Sequence, residues 1–473
     1  MNRRQFLAGA AGVVAVGSGA GALSGCDDHG AASMPQPPAA VVGPDGKKRL
    51  PWQNWSGYRF SVPAERAAPA SEDELAELLK KSPGPIRPVG AGHSFSPLVP
   101  TDGTLLSLRN FSGVLAHDAK ALTATLGAGT KLGQIGELID PLGQALQNMP
   151  DIDEQSLAGA ISTGTHGTGQ TLGGLHSYVT ALRLVTPRGE VIDCSRTQRP
   201  EIFDAARVSL GSLGVITQFT LQNVRTHTLK RRVWLEPIDA LIERFDELAG
   251  SNHSFEMYYI PFCSHGLAIA INPTDEPLRP RGAEQDNNAV LELKKLRDLA
   301  GWWPGLRRRL LDMAIADFQP EEAVDVWYRV FPSSREVRFN EMEYHLPREA
   351  LLTAFKQVRT RIESNHSEEF FPIELRVVRG DDAWLSPFHG HDRSGSIAVH
   401  RYHKEDPLPY FADIEPIYQA YEGRPHWGKM NTLDAKTFAR RYPKWREFLD
   451  VRASLDPDGR MLNPYLRGVF GLG

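Results

Sequence analysis

Cysteine is scarce in this chain: three in 473 residues, Cys26, Cys194 and Cys263. Three thiols cannot build a disulfide framework, although Cys194 and Cys263 could pair in an oxidising compartment. No paired cysteines and no His-Glu-x-x-His run occur, so the common zinc motifs are missing too. Neither sign of charge dominates, and the formal net charge is −4. The basic field that nucleic acid requires is therefore absent. There is no internal repeat, no collagen-like glycine period and no sustained heptad. What remains is ordinary globular composition, 41% hydrophobic and 23% charged. A chain this long buries large cores without covalent staples, and its length suggests two to four domains of roughly 150 residues.

The first 26 residues are read separately. Arg3-Arg4 opens them, and an uncharged Gly- and Ala-rich stretch runs on to Gly25. That layout is a twin-arginine export signal. Leu23-Ser24-Gly25-Cys26 resembles a lipoprotein box, which would place a diacylglycerol on Cys26. A membrane-spanning anchor is the competing reading, weakened by the many glycines. The signal holds two arginines and no acid, so its removal takes the net charge from −4 to −6. The expected location is the extracytoplasmic face of the membrane, or the periplasm. Twin-arginine export carries folded proteins, often ones that must first acquire a cofactor.

Residues 27–50 are rich in Pro, Gly and Ala without an apolar period, and read as a tether. Over 51–226 short strands and helices alternate, which points to an α/β domain. Ser71-Glu72-Asp73-Glu74 is a capping box that opens a helix. Helical patterns at 238–249, 290–316 and 347–363 among Val- and Tyr-rich strands indicate a second, α+β domain over 227–440 with an antiparallel sheet. Residues 441–473 are expected to return to the first domain, with a turn-rich stretch at Leu455–Leu466.

Three segments carry the chemistry. The first is Arg87-Pro88-Val89-Gly90-Ala91-Gly92-His93-Ser94-Phe95-Ser96, a strand running into a glycine pair and then His-Ser. Glycines let backbone N–H groups approach a diphosphate without a Cβ in the way. It is not Gly-x-Gly-x-x-Gly opening a helix, so a Rossmann site is a poor reading. The second is Ala158 to Gly169, with four glycines, several small hydroxyl residues and His166. It presents no apolar side, so it is expected to lie outside the core and to offer donors to an anion. The third, Ser209-Leu210-Gly211-Ser212-Leu213-Gly214-Val215-Ile216, is a glycine-spaced turn into a strand.

In this order the three segments resemble the PCMH-type, two-subdomain FAD-binding domain of the vanillyl-alcohol-oxidase-like flavoproteins. The likeness is strongest to the aldonolactone and sugar-alcohol oxidases, the D-arabinono-1,4-lactone oxidases among them. Glu374-Leu375-Arg376 is similar to that family's Glu-x-Arg pair, and His426-Trp427-Gly428-Lys429 to its His-Trp-Gly-Lys run. The resemblance implies bound FAD, covalently attached through His93. It implies that Gly90, Ala91, Gly92 and Ser94 hold the diphosphate. Ser156, Gly159, Ser162, Thr163, Gly164, Thr165, His166 and Gly167 would line the flavin and its phosphates. Gly214, Val215 and Ile216 would meet the adenine side. Glu374, Arg376 and Lys429 would stand over the flavin ring, with Asp151 and either His400 or Tyr402 facing the substrate. The implied reaction oxidises a CH–OH group of a sugar lactone, alditol or related polyol by hydride transfer to flavin N5. Arginine suits developing alkoxide charge, and a carboxylate two residues away on a strand shares its face.

One stretch departs from the family. Pro150 stands where a small Ala or Gly is usual, and Asp151 where Ser or Ala is usual. The small residue is associated with oxygen access, so the acceptor is either oxygen or, in a dehydrogenase, a quinone or cytochrome. Two other classes compete: a metal enzyme built on His389, His391, His400 and His403, and a lipoprotein that binds a ligand without catalysis.

Overall fold

The computed structural model describes residues 34–282, 286–333 and 335–473. The expected export signal and lipidation at Cys26 fall outside the described residues. Within the tether, Val41–Val42 pairs with Lys48–Arg49 in a small exposed hairpin, so its end is not featureless.

Two sheets build the part that carries the glycine motifs. Glu65–Ala67, Thr104–Ser107 and Ile86–Val89 form a three-stranded parallel sheet. Val114–Asp118, Thr123–Gly127, Val215–Gln222, Val179–Val185 and Val191–Ser195 form a five-stranded sheet, and it is antiparallel throughout. Element alternation alone would have favoured a parallel sheet here. The turn at Pro187-Arg188-Gly189 instead sends the chain straight back. Ser71 caps the helix Glu72–Lys81 as expected, its hydroxyl accepting from the Glu74 N–H at 3.2 Å.

The second part is an eight-stranded antiparallel sheet. Its order is Glu321–Val326, Thr228–Pro237, His265–Pro273, Ser254–Tyr259, Ile373–Arg379, Arg393–Tyr402, Phe339–Pro347 and Arg424–Pro425. Helices Leu351–Asn365 and Leu408–Ala420 pack into its apolar core. The helix expected over 238–249 is broken at Arg244 into Ile238–Glu243 and Phe245–Ser251. The pattern over 290–316 becomes a hairpin, Asp286–Ala300 and Pro304–Ile315, because Pro304 can only open a new helix.

A larger correction concerns Ala158–Gly169. Leu157–Thr163 is a helix, with Ala160 and Ile161 fully buried in the core. Small side chains let the helix approach its neighbours closely instead of excluding it from the interior. Gly164, in the left-handed region at φ 81°, ends it.

One buried cation joins the motifs. Arg87 is 2% exposed and has no carboxylate partner. Its Nε donates to Leu98 O at 2.7 Å and its Nη2 to Leu210 O at 2.7 Å. Its Nη1 donates to Gly211 O at 2.9 Å and to Met461 O at 2.5 Å. The first motif, the third motif and the C-terminal segment thus converge on one guanidinium. The backbone strain at Leu210, φ 56°, is held by this bond and by its own N–H to Ser162 O at 3.1 Å. Burial without an acid pulls the Arg87 pKa down to about 9, so it stays charged at neutral pH. The C-terminal segment is tied down further by Asn463, whose Nδ2 donates to Pro97 O and Pro100 O, each at 2.9 Å.

Arg87→Met should leave four carbonyls without their donor while keeping similar bulk. The expected loss is about 3–5 kcal/mol of stability, read from urea unfolding. Loss below about 1 kcal/mol would show that the carbonyls find other partners.

Candidate active site

A cleft of about 320 Å³ runs between the glycine motifs and one face of the eight-stranded sheet. Gly90, Ala91, Gly92, His93 and Ser94 line one end, with the turn at Ser209–Gly211. Ser156, Gly159, Ser162, Thr163, Thr165 and His166 form a second wall, and Gly214 and Ile216 close it. Asp151, Glu374, Arg376, His400 and Lys429 line the sheet side. Three of the expected residues do not reach the cleft. Val215 is fully buried, because alternation along its strand points it away from Gly214 and Ile216. Gly164 only terminates its helix. Gly167 packs so tightly that a Cβ would lie 2.4 Å from Met149 O.

The glycine end suits an anion. Arg87 and Arg109 lie there, and the residues lining that end, 87–95, 98–99, 107–109, 209–211, Gly214 and Ile216, include no Asp or Glu. At Gly90 a Cβ would lie 2.0 Å from Ser156 Oγ, so the first loop touches the start of the second motif. A side chain at that position would force the two apart. His93 stacks on Trp55 with centroids 5.2 Å apart, and its buried Nδ1 has no hydrogen-bond partner. Burial, then the nearby Lys429 charge, pushes its pKa down to about 4. A neutral imidazole whose Nδ1 has no partner, on a residue that lines the cleft, fits attachment to a flavin methyl group. These features fit FAD.

The sheet face explains the other wall. Cross-strand register places Glu343, Ala398, Glu374 and Tyr258 in one row. Residues two apart on each strand share that face, which adds Arg376, Glu341, His400 and Glu256. Arg376 is bonded to three carboxylates: Glu374, Asp151 at 3.0 Å and Glu256 at 3.1 Å. Tyr258 Oη lies 2.6 Å from Glu374 and 2.9 Å from Asp151. One hydroxyl proton cannot serve both, so one carboxyl must itself carry a proton. Burial pushes Glu374 up to about 7 against the opposing Arg376 charge, and burial, then the Asp151 charge, pushes Glu256 up to about 8. Burial acts on Asp151 in the same sense, but Arg376 and Arg335 outweigh it and hold Asp151 low.

His400 is poised differently. Its Nδ1 faces Pro372 O at 3.0 Å, which fixes the proton there and leaves Nε2 as an acceptor, 3.7 Å from Glu341. Burial lowers its pKa, so the ring is neutral at pH 7. Lys429 pairs with Glu341, and its backbone segment meets the first motif through Phe95 N–H to Gly428 O at 2.7 Å. Sequence reading missed Glu256, Tyr258, Glu341, Glu343 and Arg335. The alternating acids in Phe339-Asn340-Glu341-Met342-Glu343-Tyr344 were a usable signal, since buried acids on a strand need a partner.

Among the described residues, His389, His391 and His403 join no group of three ligand atoms. The two acid or histidine clusters that do form already hold internal partners, Arg376 in one and the His166–Glu343 bond of 3.0 Å in the other. Cys194 and Cys263 are both buried and free.

Residues 219–469 match the family described as D-arabinono-1,4-lactone oxidase, and residues 63–195 match an FAD binding domain. The chain is 37% identical over 431 residues to L-gulono-1,4-lactone dehydrogenase of Mycobacterium tuberculosis, covering 89% of this chain and 99% of that protein. It is 29% identical over 431 residues to the alditol oxidase of a Streptomyces species, covering 88% and 98%. Cholesterol oxidase from B. sterolicum shares the fold, with a TM-score of 0.74 at 16% identity, covering 92% of this chain and 99% of that one.

Proposed function

The chain belongs to the D-arabinono-1,4-lactone oxidase family of FAD-linked oxidoreductases, and on that footing we propose that it oxidises a CH–OH group of a sugar lactone or alditol to the carbonyl. The observation that carries this reading is one sheet face holding His400, Glu374, Arg376 and Lys429 over the cleft that His93 also lines. Bound FAD supplies the hydride acceptor. His400 Nε2 takes the hydroxyl proton, because its tautomer is fixed by Pro372 and its ring is neutral. Arg376 faces the oxygen on which charge develops, and its three carboxylate partners keep it from swinging away. Glu341, Asp151 and Glu374 are acceptors for the remaining hydroxyl groups, which selects a polyol over an apolar alcohol.

Pro150 lines the cleft beside Asp151 and supports a dehydrogenase, with an acceptor other than oxygen. The dehydrogenase name of the 37% identical relative supports the same choice. We place the protein outside the cytoplasm, anchored through Cys26, on the strength of the twin-arginine pair and the lipoprotein box. No described helix is long and apolar enough to cross a membrane. Cys26→Ser should move the protein from the membrane fraction to the soluble one, and unchanged partition would overturn the anchor.

Anaerobic addition of aldonolactones or alditols should bleach the yellow oxidised enzyme, and no bleaching by either class would sink the reading. His400→Gln should slow that bleaching by about 10²–10⁴-fold. The base acts unprotonated, so the rate of the native enzyme should fall only on the acid side. Its midpoint should lie below the ordinary histidine value, and the limb should vanish in the variant. Acid precipitation tests the covalent link. Colour should stay in the pellet of the native protein and pass to the supernatant in His93→Ala. Colour retained in that variant would assign the link to another residue.

A further inference from the structure

Beyond the cleft the same sheet face changes character. The row that holds Glu374 and Tyr258 continues through Leu267 to Leu235 on the next two strands. Ile269 and Ile271 share that face. Over them lies a second chamber of about 230 Å³. The helical hairpin roofs it with Val290, Leu293 and Ile315, and Phe318 closes one side. Asp151, Arg335, Phe339, Glu374 and His400 line both spaces, so they form the partition between them. At strand spacings of about 4.8 Å, Leu235 lies roughly 14 Å from Glu374.

A sugar lactone or alditol has no use for this chamber. Every carbon of such a substrate carries oxygen, and the apolar stretch between Leu235 and Leu267 on the floor and Val290, Leu293 and Ile315 on the roof leaves those hydroxyls without partners. The position also matters. Hydride transfer needs the carbinol carbon against the flavin, which the cleft provides. Electrons can cross a partition of one side-chain layer, so an acceptor need not enter the cleft. The inner end of the chamber presents the guanidinium groups of Arg231 and Arg335, each with several N–H donors, suited to ring oxygens. The hairpin also exposes large apolar side chains. Leu299, Trp302, Trp303 and Met313 are 52, 75, 55 and 61% exposed, and Lys295, paired with Glu292, and Arg309 are exposed on the same hairpin. Exposed tryptophans with lysine or arginine suit a lipid–water boundary, where a water-insoluble acceptor is found.

We propose that the chamber binds a quinone with an apolar tail, as the acceptor that reoxidises the enzyme. The inference rests on the reading of the cleft as the site of polyol oxidation. The step balances as reduced flavin and quinone giving oxidised flavin and quinol. Two electrons pass to the quinone ring, and its two carbonyl oxygens gain one proton each.

The test is calorimetric titration of the full-length, oxidised holoenzyme with a decyl-substituted benzoquinone. Saturable binding is expected, weakened about tenfold or more by Leu293→Trp, which fills the chamber from its roof. Val290→Trp repeats the block from a half-buried position and serves where Leu293→Trp does not fold. Anaerobic bleaching by the lactone or alditol should be unchanged in both. No saturable quinone binding, or equal binding by the native protein and a folded variant, would overturn the proposal. So would a tenfold rise in the lactone or alditol KM in the variants, since the chamber would then belong to the substrate. If the native enzyme is not bleached at all but quinone binding behaves as expected, the polyol reading fails and the chamber assignment stands.

Discussion

A single guanidinium without a counter-ion sets the geometry of the cleft. Arg87 spends its donors on the carbonyls of Leu98, Leu210, Gly211 and Met461, residues far apart in the chain. A buried charge normally demands an acid. Here four carbonyl dipoles take that role, and the positive charge is left directed at the end of the cleft where phosphate belongs. An acid in that place would have satisfied the arginine and repelled the ligand. The glycine loop, the strained turn at Leu210 and the end of the second-motif helix all take their positions from this network.

The opposite wall follows from the two-residue period of strands. Because the eight strands are antiparallel and in register, acids from three of them, Glu256, Glu374, Glu341 and Glu343, share one face with Arg376. Three carboxyls, Asp151, Glu256 and Glu374, share Arg376, and burial favours their neutral forms. Glu374 and Glu256 are held partly protonated near neutrality, while Asp151 remains ionised. A polar wall of this kind discriminates by hydrogen bonding, and it ends abruptly where Leu267 replaces the acids in the same row.

Much of the phosphate end was legible in the sequence, because its chemistry is local. Gly90-Ala91-Gly92-His93 announces a close backbone approach within four residues. The Glu374-x-Arg376 pair was legible for the same reason, two residues on one strand. The partners were not. Tyr258 meets Glu374, and Glu341 meets Lys429, only through strand register, which no local pattern encodes. Polarity misled at Leu157–Thr163, where small residues allow tight burial as readily as they allow exposure. The second chamber could not be read at all, since its floor is sheet and its roof a hairpin created by Pro304.

The bond from Arg87 to Met461 spans almost the whole chain. The glycine loop is therefore held by a segment 374 residues further along, and is incomplete until both have met. Cofactor capture then follows long-range assembly of the chain and not local folding of the loop.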